Sequence, residues 1–263
     1  MPLHLFLCLL ALQQSPPAAG TEHPHPHGAN EAVMATLPDL DPLRDAGVPA
    51  ATRLKALTKP GTSVAANAWK AIEACDRCLA VNDLSAILAG RPSAELEPLV
   101  PALAAAVKDE SRPALRAAAA RAMVALSPDR RPAELRDLKV TELMTACQRG
   151  RMAWDPKDFQ VLSGTLVRMR MQNGDSMLHN MLLTAPGSLS EIGVAAEKLG
   201  EGLEGKRRQF VPDSPKVIAV MGLVAPGETG EMWFFTPSKP GTYVLVCTYP
   251  GHWRMMNGKL KVQ

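Results

Sequence analysis

Hydrophobic and polar positions follow two different periods along this chain. Between residues 41 and 132 apolar positions recur at intervals of three and four. Leu96, Leu99, Val100, Leu103 and Val107 form one stripe, and Leu115, Ala118, Ala119, Ala122, Met123 and Leu126 form a second. Each stripe is the apolar face of an amphipathic helix. The two are separated by Asp-Glu-Ser-Arg-Pro at 109–113, where Ser111 suits a helix cap and Pro113 a first helical turn. Two antiparallel helices joined by a short turn are predicted. Beyond about residue 135 the pattern shortens to apolar or alternating runs at 138–144, 159–162, 166–171, 181–183, 216–220, 231–235, 241–247 and 259–262, punctuated by Gly, Pro and Asn. That spacing predicts the strands of a Greek-key sandwich or barrel. Ile192, Ala195, Ala196, Leu199 and Leu203 predict a helix inserted among them. The expected fold class is α+β by domain, a helical domain at residues 42–134 followed by an all-β Greek-key sandwich at residues 135–263.

Composition sharpens this division. Nine of the eleven Phe, Trp and Tyr residues follow Gly150, and ten of the thirteen Met follow Val140, whereas the preceding stretch is rich in Ala, Leu and Arg. Charge adds little: 29 basic against 26 acidic residues leave +3, too small an excess to point to nucleic acid as a partner. Ahead of the helices, residues 3–12 are an apolar run near ten residues, followed by Gln-Gln-Ser-Pro-Pro and then Ala18-Ala19-Gly20. A secretory signal over residues 1–20 accounts for this pattern better than a buried helix, because a Pro-rich polar stretch follows. Residues 21–41 read as a Pro/His-rich linker. No other segment has the 18 or more apolar residues of a membrane span. The chain is therefore expected to be exported to a periplasmic or extracellular location, with no span after signal cleavage.

Residues 99–126 resemble a HEAT-type repeat, including the Asp before the turn and the Arg in the second helix. The resemblance covers one good copy, with degenerate copies at 48–57 and 62–88 and no fixed period. It implies a small bundle or short solenoid used as an interaction surface, leaning on the β domain; a generic helical domain fits the same residues. Four cysteines remain once Cys8 leaves with the signal. Cys75 and Cys78 have the C-x-x-C spacing, but Leu79 follows where haem attachment needs His, and no second Cys pair completes a zinc site. Their helical spacing with Trp69 and Ile72 places them on a packed face, or in a local disulfide.

The informative chemistry lies near the C-terminus. Outside the signal and linker only His179 and His252 remain, and His252 stands in Cys247-Thr-Tyr-Pro-Gly-His252-Trp-Arg-Met-Met256. Thiolate, imidazole and thioether within ten residues, plus one distant His, make the His2Cys set with a weak axial Met of a blue-copper centre. Taken singly, Cys247 could be a strand residue, His252 a loop residue and Met256 core filler; the joint spacing Cys-x4-His-x3-Met around Pro250-Gly251 favours copper. The loop resembles that of the azurin and auracyanin type of cupredoxin, with Tyr249 in place of Phe, and Asn173-Gly-Asp-Ser-Met-Leu-His179-Asn180 resembles the strand of that family's first ligand. Pro212-Asp-Ser-Pro-Lys and Pro226-Gly-Glu extend the likeness over about residues 135–263.

The resemblance implies His179, Cys247, His252 and axial Met256 as copper ligands. It implies that Asn180 and Thr248 tie the two ligand loops together, and that the Tyr249 amide donates to the sulfur. Leu178 stands where the family often has Gly or Pro, and Met255 lies beside the expected axial ligand. The implied function is exported one-electron transport by one type 1 copper, with redox partner proteins meeting the protein near His252 and the helical domain as a docking module. Trp253 is expected either in an apolar docking patch or as a cover on the core end. Two alternatives stay open: a copper-binding or copper-delivery protein using the His-Pro-His linker, and an interaction scaffold with a structural copper. An enzyme finds no support, since no open metal site or catalytic triad is visible. Cleavage after Gly20 would also start the mature chain at Thr21-Glu22-His23, a nitrogen set that suits a second Cu(II), with His25 and His27 close behind; a solvated linker without a metal role fits the same residues.

Overall fold

The computed structural model describes residues 60–74 and 79–263, together with Thr52, Lys55, Leu57 and Thr58. The expected signal and linker, the expected Cu(II) site at His23, the Cys75/Cys78 pair and most of the repeat copy read at 48–57 lie outside these residues.

From residue 60 on, the described residues form five α-helices before the strands: α1 Val64–Ala74, α2 Ala80–Ala89, α3 Ser93–Leu96, α4 Val100–Lys108 and α5 Pro113–Ala125. α4 carries Val100, Leu103 and Val107 of the first stripe and α5 most of the second, with Pro113 in its first turn; Leu96 and Leu99 fall in α3 and the turn before α4, and Arg112, not Ser111, stands at the α5 cap. The central helix α5 is buried along Ala117, Ala118, Ala119, Ala120, Ala122 and Met123. Small side chains on nearly every face let α1, α2 and α4 all approach it, which an amphipathic surface helix would not permit.

Nine strands follow: β1 Val140–Cys147, β2 Trp154–Asp155, β3 Asp158–Val161, β4 Leu166–Asn173, β5 His179–Thr184, β6 Val217–Val224, β7 Thr229–Phe235, β8 Gly241–Val246 and β9 Asn257–Val262. They form a four-stranded sheet ordered β2-β1-β4-β7 and a five-stranded sheet ordered β3-β9-β8-β5-β6. β1 runs parallel to β4, with Val140 opposite Leu166 and Cys147 opposite Asn173, and β4 runs antiparallel to β7. Between β5 and β6 lie helices α6 Leu189–Glu197 and α7 Leu203–Arg207. The inserted helix expected from residues 192–203 is thus two helices.

Strand periodicity decides which layer each side chain joins. In β4 and β7, Val167, Met169, Met171, Met232 and Phe234 point between the sheets and join Met181, Leu183, Leu245 and Leu260 in the sandwich core. The alternate residues Leu166, Trp233 and Phe235 face the other way and pack with Leu84, Leu88, Leu115 and Met123 of the helices. The helical region therefore covers the outer face of the four-stranded sheet. A polar cluster sits inside this contact: Arg121 of α5 pairs with Glu231 of β7, whose other oxygen accepts from Arg168 Nε at 2.7 Å. On the five-stranded sheet, α6 plays the same part, with Ile192 against Leu182, Val246 and Trp253.

Candidate metal centre

The loop of residues 247–256 is shaped by its own sequence. Pro250 and Gly251 occupy the centre of a tight turn closed by His252 N–H donating to the Tyr249 carbonyl at 3.0 Å, and Gly251 has φ 81°. That positive φ belongs to the third position of a type II turn, which glycine adopts without steric cost. One helical turn follows, with the Met256 N–H donating to the His252 carbonyl at 2.8 Å, and the Cys247 N–H donating to the Met256 carbonyl at 3.0 Å closes the loop. His252 is thereby turned back over Cys247, and Met256 is buried at the loop's base with 0% exposure.

His179 stands at the start of β5, an interior strand of the five-stranded sheet. The pairing of β5 with β6 is irregular between His179 and Met181, a bulge that re-aims side chains where the strand meets the loop. His179 Nδ1 lies 3.9 Å from Cys247 Sγ, and His252 Nδ1 lies 3.6 Å from it. The donor atoms of His179, Cys247 and His252 all fall within 4.8 Å of one another. A trigonal ion bound to two imidazoles and a thiolate, with bonds of about 2.05 and 2.3 Å, would hold nitrogen and sulfur about 3.8 Å apart. The observed separations fit a metal ion of that kind. Met256, expected as the axial ligand, is buried in the same apolar cluster as Cys247, with Tyr249 packed against it.

The sulfur environment is polar only where it needs to be. Burial pushes the Cys247 thiol up to about 12, opposed by backbone N–H groups of Asn180 and Tyr249 that donate to the sulfur. Those donors stabilise a thiolate once a cation is beside it. Asn180 also joins the loops: its Nδ2 donates to Thr248 Oγ1 at 2.8 Å, and its Oδ1 accepts from the Thr248 N–H at 2.7 Å. A further bond runs from Asn180 Nδ2 to the Gln209 carbonyl at 2.8 Å. Gln209 and Phe210 have φ of 50° and 60°, strain that this anchoring sustains at the margin of the site. Phe210 meets Tyr249 edge to face at 5.3 Å, and Tyr249 lies 4.8 Å from the His252 ring, so aromatic rings shield one side.

The two imidazoles differ on their outward sides. His179 Nε2 lies 3.2 Å from Asp175 Oδ2, whereas His252 Nε2 is buried with no hydrogen-bond partner. Burial and the neighbouring His179 push the His252 imidazole down to about 4; burial also lowers that of His179, with Asp175 opposing. Both rings are therefore neutral near pH 7, the form that ligates a metal.

Of the two placements expected of Trp253, the structure has the cover on the core end. It is 9% exposed, its indole N–H donates to Glu197 Oε1 at 2.8 Å, and its ring occupies the space where a Cβ on Gly193 would stand, 2.1 Å away. Because α6 carries glycine there, the ring lies flat against the helix and covers the core end. The neighbouring Met255 is 57% exposed. Asp175 and Asn173 were not singled out from sequence. Asn173, 0% exposed, shapes the loop before His179 by donating from Nδ2 to the carbonyls of Met177 at 2.8 Å and Val224 at 2.9 Å. The spacing Asn-x-Asp-x3-His was the available signal. Cys147 is a free thiol, buried and pushed up to about 12 by burial, and lies outside the donor cluster.

A family model described as copper binding proteins of the plastocyanin/azurin family matches residues 141–263. Auracyanin-A of Chloroflexus aurantiacus is 33% identical over 113 residues, covering 42% of this chain and 67% of that protein. Auracyanin-B of the same organism is 32% identical over 118 residues, covering 42% and 47%. Outer membrane protein H.8 of Neisseria gonorrhoeae is 29% identical over 118 residues, covering 41% and 61%. Among solved structures, that of auracyanin A, titled a "blue" copper protein, is 28% identical, covers 48% of this chain and all of that one, and has a TM-score of 0.43. The helices α1 to α5 precede the matched region. With a buried Cys and two His converging at metal-ligand spacing inside that region, the chain belongs, through its C-terminal β-sheet domain, to the plastocyanin/azurin family of copper-binding proteins.

Proposed function

We propose that this protein is an exported type 1 copper electron carrier, with His179, Cys247 and His252 as trigonal ligands and Met256 as the weak axial one. The observation that carries the reading is the convergence of two imidazole Nδ1 atoms on one buried thiol, at 3.6 and 3.9 Å. Copper held there supplies one-electron redox chemistry. The chain's own residues do the rest. Asn180 and Thr248 lock the two loops so that the donor set keeps its shape, and the aromatic side chains of Tyr249 and Phe210 help keep water out. His179 and Cys247 are 0% exposed and His252 2%, which favours electron exchange over a substrate reaction and over delivery of the ion to another protein.

Under this reading the helical region, residues 42–134, is a HEAT-like docking or tethering module attached to a cupredoxin domain at 135–263. Among the described residues no helix is long and apolar enough to cross a membrane, and export rests on the N-terminal sequence. The deciding experiment is visible absorption of the copper-loaded protein. An intense thiolate-to-copper band supports the reading; copper uptake without that band refutes it.

A further inference from the structure

Behind His179, on the side away from Cys247, lies a buried carboxylate. Asp175 is 6% exposed. Its Oδ2 is 3.2 Å from His179 Nε2, while Oδ1 accepts the N–H of Ser176 at 2.8 Å and of Gly150 at 3.2 Å. Its own N–H donates to Asn173 Oδ1 at 3.0 Å. One oxygen is thus tied by two backbone donors and the other is left for the imidazole, so the carboxylate cannot swing away without losing both. No side-chain cation is among these partners. His252 has no equivalent, its Nε2 being buried and unpartnered.

We propose that Asp175 is a positioning residue that sets the redox balance of the copper centre by fixing His179 with its Nε2–H toward the carboxylate and its Nδ1 lone pair toward Cys247, and by placing a negative charge behind that ligand. The inference rests on the proposed type 1 function. Its physical basis is twofold. A carboxylate accepting the outer N–H of a metal-bound imidazole selects the tautomer and raises ligand basicity. It also changes the formal charge of the buried site: thiolate and carboxylate together balance Cu(II), whereas one electron more leaves a negative charge without a counterion in a low-dielectric interior. Both effects favour the oxidised form. The ligand set can then be read as asymmetric, one histidine fixed and made electron-rich from behind, the other held by packing alone.

The test is Asp175→Asn in the full copper-loaded chain, which removes the charge and leaves one amide oxygen to serve either the imidazole N–H or the two backbone N–H groups, but not both. Cu(II) affinity is expected to fall about 10- to 100-fold, and Cu(I) affinity to fall less. A tenfold difference between the two corresponds to a rise of about 59 mV in the one-electron potential. The visible thiolate band should persist, since none of the proposed ligands is altered. A blue Asp175→Asn protein with the parent's potential overturns the role of Asp175 and leaves the type 1 reading standing; a parent chain without a thiolate band overturns both. A second measurement needs no variant: long-range 1H–15N correlation on the Cu(I) parent should show His179 carrying a slowly exchanging proton on Nε2. A freely exchanging Nε2 proton there refutes the proposal even if the variant does not fold.

Discussion

Removing the Glu231 carboxylate should loosen the helical region from the sheet at a cost larger than removing the arginine it faces. Glu231 Oε1 pairs with Arg121 and accepts the Trp233 indole N–H at 3.3 Å, Oε2 pairs with Arg168 at 2.6 Å, and the Glu231 carbonyl accepts Asn82 Nδ2 at 2.7 Å. Burial alone would raise its carboxyl, but Arg121 and Arg168 hold it below the usual 4.5. In Glu231→Gln two guanidinium groups lose the anion between them, and the Arg121 side chain, 10% exposed, keeps neutral acceptors at the Asn82 carbonyl and Ser85 Oγ and the charge of Asp83. Breaking a buried pair from one side costs about 3–5 kcal/mol, and because the Arg168 side chain is 33% exposed the lower end, about 3 kcal/mol, is expected. Arg121→Met leaves Glu231 paired with Arg168 and should cost about 1–2 kcal/mol. The double variant should cost less than the sum of the two, since no charge is left stranded between α5 and β7. Urea unfolding of the full chain followed by far-UV circular dichroism measures all three; with an m-value of about 2–3 kcal/mol/M, the Glu231→Gln midpoint falls by about 1–1.5 M. The carboxylate's contribution is full above pH 4.5 and is lost as pH falls through its depressed folded value. The reasoning fails if Arg121→Met proves as costly as Glu231→Gln, or if Glu231→Gln costs under about 1 kcal/mol.

Four other outcomes are expected. Cys247→Ser should abolish the thiolate-to-copper absorption while the chain stays folded, because serine can still accept the Asn180 and Tyr249 N–H groups; residual blue colour would refute the ligand assignment. Met256→Leu should keep copper and raise the potential, whereas Met255→Leu, at a site 57% exposed, should leave it unchanged; voltammetry giving the reverse would identify the other sulfur as axial. Gly193→Ala sets a Cβ into the Trp253 ring and should destabilise by about 1–3 kcal/mol, with a shift in tryptophan emission as the ring is displaced; unchanged emission and stability would show that the ring is not seated there. In the metal-free protein His252, held down at about 4 against the usual 6.5, makes the unfolded chain bind the extra proton as pH falls, so stability should decline between those values by up to about 3 kcal/mol. Thermal unfolding should show a shallower decline in His252→Asn, and parallel pH profiles would count against the shift.

How much of the site could be read from the sequence depended on how local each relation is. Cys247, His252 and Met256 lie in one loop whose turn is set by Pro250-Gly251, so their meeting needs no knowledge of the rest of the fold. His179 was reachable by elimination, being the other histidine outside the signal and linker. Asp175 offered only the spacing Asn-x-Asp-x3-His, because its role depends on the Gly150 N–H, 25 residues away, which closes the carboxylate against the imidazole. The choice between the two readings of Trp253 was equally non-local: an indole beside a ligand fits surface or core until a glycine on α6, sixty positions earlier in the chain, makes room for it. The strands were legible as segments, yet neither the parallel pairing of β1 with β4 nor the two-residue strand β2 leaves a local pattern. The alternation in β7 carried more than was drawn from it. Met232 and Phe234 on one face, with Trp233 and Phe235 on the other, describe a strand that needs cover on both sides.

That cover has a direction. The helices meet Val140, Leu166 and Phe235, the ends of β1, β4 and β7 that lie away from Cys147 and Asn173 in the registers of the sheet. The ligands sit at the opposite end, where β4 runs into the loop before His179 and β8 ends at Cys247. Helix α6 closes the face of the five-stranded sheet and, through Trp253, one flank of the ligand loop. Both broad faces of the sandwich are therefore covered, and the loop end carries exposed side chains at Met177 and Met255, 40% and 57% accessible. Under the proposed carrier function a redox partner would meet the loop end near His252, and a partner of the helical region would meet the helices on the outer face of the four-stranded sheet. If both occur, they occupy different surfaces of the protein, and binding at one leaves the other open.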